Sequence, residues 1–171
     1  MTNQNLLAIA KEHGSPVYVY DAEKIESQYK RLTGAFNKVK NLRINYAVKA
    51  LSNLAVLQLI HGFGAGMDTV SIQEVRLALA AGIDPSKIMF TPNGVSLDEL
   101  EEVAKMGVQI NIDNLSILEQ FGTKHPKTPV CVRINPHVMA GGNTNISVGH
   151  IDSKFGIRIF SKFFTSWNNF F

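Results

Sequence analysis

Residues Leu42–Ala50 read LRINYAVKA. As a strand the stretch alternates: Ile44, Tyr46 and Val48 face one way, and Asn45, Ala47 and Lys49 face the other. A lysine at the end of such a strand is unusual, because a buried ammonium is costly without a partner. That cost has a chemical use. Desolvation lowers a lysine pKa, and a neutral amine condenses with a carbonyl to form a Schiff base. The expectation is an amine kept dry and uncharged at the mouth of a ring of strands. The ordinary alternative is a lysine that snorkels from the strand end to water.

From that stretch onward, a unit repeats. The strand ending at Lys49 is followed by Ser52 as N-cap and a helix that stops near Gly62–Gly64. AGMDTV carries Asp68, and Ser71 with Glu74 forms a capping box ahead of VRLALAAG. KIMFT ends at Thr91, and Ser96 with Glu99 forms a second capping box. VQINID ends at Asp113 ahead of a short helix to about Gly122, and TPVCVRIN contains Arg133. The markers Lys49, Asp68, Thr91, Asp113 and Arg133 are spaced 19, 23, 22 and 20 residues apart. This is a βα repeat and implies a parallel sheet.

Two architectures compete, a doubly wound open sheet and a (β/α)8 barrel. Ile110 and Ile112 oppose Gln109, Asn111 and Asp113; Val130, Val132 and Ile134 oppose Cys131 and Arg133. A sheet covered on both faces should instead read as near-continuous apolar strands. The pattern favours a TIM barrel whose aliphatic face meets the helices and whose polar face lines the interior. Lys49, Asp68, Asn93, Asp113 and Arg133 then fall at the strand ends where barrel enzymes place their chemistry. About five barrel strands are visible, a partial barrel with an open edge.

Upstream, residues 1–14 predict a short amphipathic helix stopped by Gly14. PVYVY at 16–20 predicts a strand, and Asp21 caps a helix to about Lys38. Downstream, 135–149 is a Gly- and Asn-rich loop. The end, FSKFFTSWNNFF at 160–171, holds five of the ten Phe and the only Trp without strand or helix periodicity. The expected organisation is an N-terminal segment over 1–20, a partial barrel over 21–159 and an atypical tail over 160–171 from truncation or a frameshift.

The 171 residues are 45% hydrophobic and 18% charged, as in ordinary globular domains. The net charge of +3 is scattered, with no basic stripe for nucleic acid. The single cysteine, Cys131, excludes an intramolecular disulfide, and mid-strand it reads as core. A reducing cytoplasm fits. No run approaches a membrane span, and the N-terminus lacks the basic and apolar regions of a signal peptide. His61, His125, His137 and His150 show no metal spacing and read as helix-end or loop residues.

PVYVYD, NYAVKA, GMDTVSIQE, FTPNGVS, VRINPHV and SKFGI occur in that order. Over residues 15–159 the set resembles the N-terminal part of diaminopimelate decarboxylases, members of the fold-type III pyridoxal-phosphate decarboxylases with an alanine-racemase-like barrel. NPHVMAGGNTNISVGHIDSKFGI is more similar to the diaminopimelate branch than to the ornithine branch.

The resemblance implies pyridoxal 5'-phosphate as cofactor, an amino-acid substrate and a homodimeric parent protein. Lys49 would hold the cofactor covalently and yield it to the substrate amine. Asp68 matches the acid beside that lysine, Glu74 another acid near the site, and Arg133 the arginine that approaches the cofactor's phenolic oxygen. Glu74 also has a complete explanation as a cap, and Arg133 as an interior arginine paired with an acid. Lys154 in SKFG is typical of the family, with a structural or peripheral task. The reaction implied is decarboxylation of meso-diaminopimelate to lysine. The ring-stacking histidine, the glycine-rich phosphate loop and the second, β-domain lie beyond residue 171, so this fragment is expected to be inactive alone. Three alternatives stay open: an ornithine- or arginine-type decarboxylase or racemase, a non-catalytic cofactor-binding barrel, and a disrupted reading frame. PVYVY argues against the carrier, because in the decarboxylases an N-terminal strand joins the second domain.

Overall fold

Strand order in the main sheet follows the sequence without reversal. Five parallel strands, β1 (Asn45–Ala47), β2 (Gly66–Thr69), β3 (Ile88–Phe90), β4 (Gln109–Ile112) and β5 (Val130–Val132), lie side by side in the order β1-β2-β3-β4-β5. A doubly wound sheet reverses direction at a switch point, and this one does not. The arrangement is an arc of a (β/α)8 barrel. The computed structural model describes residues 1–138, 148–150 and 152–158. The tail at 160–171 and most of the 135–149 loop lie outside the described residues.

Helices α3 (Leu54–Gly62), α4 (Ile72–Ala80), α5 (Leu97–Lys105) and α6 (Leu115–Lys124) fill the connections after β1, β2, β3 and β4. They cover one face of the arc. Met67, Ile88, Phe90, Ile110 and Ile112 are at most 2% exposed and pack against Leu57, Val75, Leu100, Val103 and Phe121. Burying each such side chain contributes about 1.5–3 kcal/mol. The alternation in the sequence thus sorts residues as expected, aliphatic toward helices and polar toward the concave side. α1 (Asn3–His13) and α2 (Ala22–Ala35) precede the arc, and Asp21 caps α2 as predicted. No helix among the described residues is long and apolar enough to cross a membrane.

Several local expectations are corrected. PVYVY is not a strand: it pairs with no other segment among the described residues, and Tyr18 is 90% exposed. The N-cap of α3 is Asn53 rather than Ser52, its side-chain oxygen accepting from the backbone of Ala55 and Val56. The second capping box does not close. Ser96 caps α5, but the Glu99 carboxylate leaves its own helix. A true capping box forms where none was predicted, between Thr2 and Asn5. Cys131 is exposed, not core, because its position on β5 places it on the open concave face beside Gln109, whose Nε2 lies 3.0 Å from its Sγ.

TPVCVRIN is two strands. Arg133 is the joint: its N–H donates to Ile112 at 2.8 Å and its carbonyl accepts from Ile157 at 2.7 Å. The chain thereby passes from β5 into β6 (Ile134–Asn135), which pairs in parallel with β7 (Ile157–Arg158). Gly156, with φ +78°, makes this approach possible, since a Cβ there would stand 2.7 Å from the Asn135 nitrogen.

Candidate active site at the C-terminal mouth of the arc

Lys49 lies just past the end of β1, within a single 3-10 turn over Val48–Ala50. The Leu51 N–H closes that turn onto the Val48 carbonyl at 3.1 Å. The Tyr46 hydroxyl donates to the Leu51 carbonyl at 3.3 Å, and burial pushes the phenol above its usual value. The lysine therefore projects from a pinned turn. It is exposed, and no described group bonds its Nζ. In this five-strand arc the concave side that carries Lys49 is open to water.

Asp68 sits on β2 with Ala47 as its register partner on β1, two residues before Lys49. Its Oδ1 accepts from the Thr91 hydroxyl at 2.7 Å, and Thr91 Oγ1 in turn accepts from Asn111 Nδ2 at 2.9 Å. The three residues link the ends of three adjacent strands on the concave face. Asn111 Oδ1 is buried with no partner among the described residues. Thr91 entered the sequence reading only as a strand-end marker and Asn111 only as a polar-face residue. Neither carried a site signal, because each draws its meaning from a neighbour about twenty residues away.

Glu74 begins α4. Its Oε2 accepts from the Val70 N–H at 2.8 Å while Ser71 Oγ accepts from the Glu74 N–H at 3.3 Å. The predicted capping box therefore does not close: Ser71 caps the helix, but the Glu74 carboxylate takes the N–H of Val70, one residue before the N-cap, instead of that of Ser71. Among the described residues Arg133 pairs with no acid, unlike its ordinary alternative. Its guanidinium stacks 4.5 Å from the Phe155 ring centroid, and Lys154 Nζ lies 5.2 Å from the same centroid. A cleft of about 560 Å³ opens at the ends of β3 and β4, bordered by Asn93, Asp113, Ser116 and Lys154. Asn93 Nδ2 spans it, donating to Asp113 Oδ2 at 2.8 Å and to the Lys154 carbonyl at 3.4 Å.

The histidines are helix-end or loop residues. His61 Nδ1 is 2.9 Å from the Ala65 carbonyl, His125 caps the end of α6, and His137 and His150 lie in loops. No group of three or more metal-ligating side chains occurs among the described residues.

These residues fit an aldehyde-bearing aromatic cofactor. A primary amine is available for condensation, a carboxylate stands on the neighbouring strand, and the buried Asn111 Oδ1 leaves an acceptor unused on the concave face.

Comparison with known proteins agrees. Residues 22–165 match the model described as pyridoxal-dependent decarboxylase, pyridoxal binding domain. The chain is 39% identical over 151 residues to a diaminopimelate decarboxylase of Methanothermobacter thermautotrophicus, covering 87% of this chain and 35% of that protein. It is 38% identical over 159 residues to that of Pseudomonas aeruginosa, covering 90% and 38%. The crystal structure of the Helicobacter pylori diaminopimelate decarboxylase complexed with L-lysine superposes with a TM-score of 0.79 at 35% identity, covering 91% of this chain and 40% of that one. The chain thus spans between a third and two fifths of the length of these relatives. With the arc, its mouth and these matches in hand, the chain belongs to the pyridoxal-dependent decarboxylase family, within its pyridoxal-binding domain.

Proposed function

We propose that this chain is the cofactor-binding part of a diaminopimelate decarboxylase, a carboxy-lyase that converts meso-diaminopimelate to lysine as a homodimer in the cytoplasm. The observation that carries the reading is the placement of Lys49 on its pinned turn, directly after β1 and two residues past the register partner of Asp68. Relatives named for this reaction, and one solved with L-lysine, support the substrate.

When bound, pyridoxal 5'-phosphate supplies the electron sink that lets an amino acid lose its carboxylate as carbon dioxide. The chain's own residues do the rest. Lys49 would hold the cofactor through its amine, on the pinned turn that follows β1. Asp68 places negative charge beside the site and favours positive charge developing there. Arg133, whose guanidinium lies over the Phe155 ring, would offer a cation to the cofactor's phenolic oxygen. One oxygen of Glu74 secures the loop between β2 and α4 by accepting from the Val70 N–H. The test is spectroscopic. Mixing the chain with pyridoxal 5'-phosphate yields a visible absorbance band that Lys49→Ala abolishes; an equal band in both proteins contradicts the reading.

A further inference from the structure

We propose that Thr91 and Asn111 are positioning residues for Asp68, a two-member relay that holds one of its carboxylate oxygens and sets the acid toward the Lys49 site. The inference rests on the functional reading above, and goes beyond it in assigning roles to two residues on β4 and just past β3.

A threonine hydroxyl has one proton to give and can accept in return. Thr91 Oγ1 has two neighbours, Asp68 Oδ1 at 2.7 Å and Asn111 Nδ2 at 2.9 Å. An ionised carboxylate only accepts, so the Thr91 proton goes to Asp68. The second neighbour must then donate, which requires the amide nitrogen of Asn111, not its oxygen, to face Thr91. The direction is Asn111 to Thr91 to Asp68.

Two further observations agree. Turning its nitrogen to Thr91 leaves Asn111 Oδ1 buried and without a partner among the described residues. Such an atom is costly, so the orientation serves the relay rather than the amide itself. Thr91 is also fixed from behind: its N–H donates to the Thr69 carbonyl at 2.7 Å, and the Thr69 hydroxyl donates to the Met89 carbonyl at 2.9 Å. The backbone that carries the Thr91 hydroxyl is held against β2. Oδ1 is thereby anchored, and Oδ2, which no described group bonds, is left to the site.

The experiment follows the pH midpoint of the visible band that this chain forms with pyridoxal 5'-phosphate. A carboxylate held close favours the protonated, charged form of the Lys49-linked chromophore. Thr91→Val lets Asp68 swing away and lowers the midpoint by roughly one pH unit. Thr91→Ser keeps the hydroxyl and restores it. Asn111→Ala moves it the same way by less, and the double variant moves it no further than Thr91→Val, since Asn111 acts only through Thr91. A purely structural role would lower melting temperature and leave the midpoint in place. Midpoints unmoved in Thr91→Val and Asn111→Ala, or a Thr91→Ser protein that behaves like Thr91→Val, overturn the relay while the functional reading stands. Should Thr91→Val not fold, Asn111→Ala against Thr91→Ser decides alone. A wild-type chain with no band overturns the functional reading and the relay with it.

Discussion

The Glu99 carboxylate accepts a hydrogen bond from the backbone N–H of Ile72 at 3.1 Å, capping a helix to which it does not belong. Ile72 opens α4 and Glu99 lies in the first turn of α5. Together with Ser71 and Glu74, it means that three side chains serve the N-terminus of the helix that follows Asp68. The first turn of α4 sits directly behind the site, so its order is the order of the β2 rim.

Removing that cross-helix cap should weaken the fold rather than the cofactor site. Glu99→Ala is expected to cost about 1–2 kcal/mol, in the range of a lost N-cap. Glu99→Gln, which can still accept, should recover most of it. Urea unfolding of the three proteins, followed by helix circular dichroism, measures the difference.

Gly66→Ala should destabilise by about 1–3 kcal/mol through overpacking. An added Cβ would stand 2.6 Å from the Lys87 carbonyl oxygen and closer still to Asn45 Oδ1. The backbone contact cannot relax without separating β2 from the turn ahead of β3. Thermal melts of the variant and of Gly82→Ala, where nothing stands within 4 Å of the added atom but φ is +84°, separate a steric cost from a conformational one.

Acid should loosen α2 through Asp21. The Lys24 backbone N–H at 3.1 Å, and then the N-terminal ammonium at 3.2 Å, hold its carboxyl below the ordinary 3.8. A depressed acid stabilises the fold above its unfolded value and loses that contribution as the pH falls through the folded one. The melting temperature of the wild-type chain should therefore fall more steeply below about pH 4 than that of Asp21→Asn, which keeps a capping oxygen but does not titrate. Parallel slopes from pH 6 to pH 2 would remove the carboxylate from the account.

Tyr46→Phe should cost about 1 kcal/mol, the net worth of its bond to Leu51. Its more informative effect is on the turn carrying Lys49. Amide hydrogen exchange at Leu51, whose N–H closes that turn, should quicken in the variant while exchange in β3 stays unchanged. Equal acceleration throughout would indicate global destabilisation instead.

Much of this architecture was legible in the sequence because burial imposes a period. Ile110 and Ile112 against Gln109 and Asn111 told the convex face from the concave one, and the regular spacing from Lys49 to Arg133 told parallel repeats from hairpins. Two kinds of feature were not legible. Cys131 follows the same alternation as Arg133 yet was read as core from residue type, which is blind to an open concave face. The partners of Glu99, Thr91 and Arg133 lie 27, 23 and 22 residues away in sequence, at Ile72, Asp68 and Phe155. A local capping rule could not foresee that a neighbouring helix would take Glu99. PVYVY shows the converse: β-branched and aromatic residues favour a strand, but without a pairing partner the segment stays extended and exposed.

The most direct measurement is covalent trapping. The chain is incubated with pyridoxal 5'-phosphate, reduced with borohydride, digested and mapped by mass spectrometry. The cofactor's mass is expected on the peptide containing Lys49, at a yield well above that of any other lysine. A label spread across surface lysines, or concentrated on one other than Lys49, would contradict it.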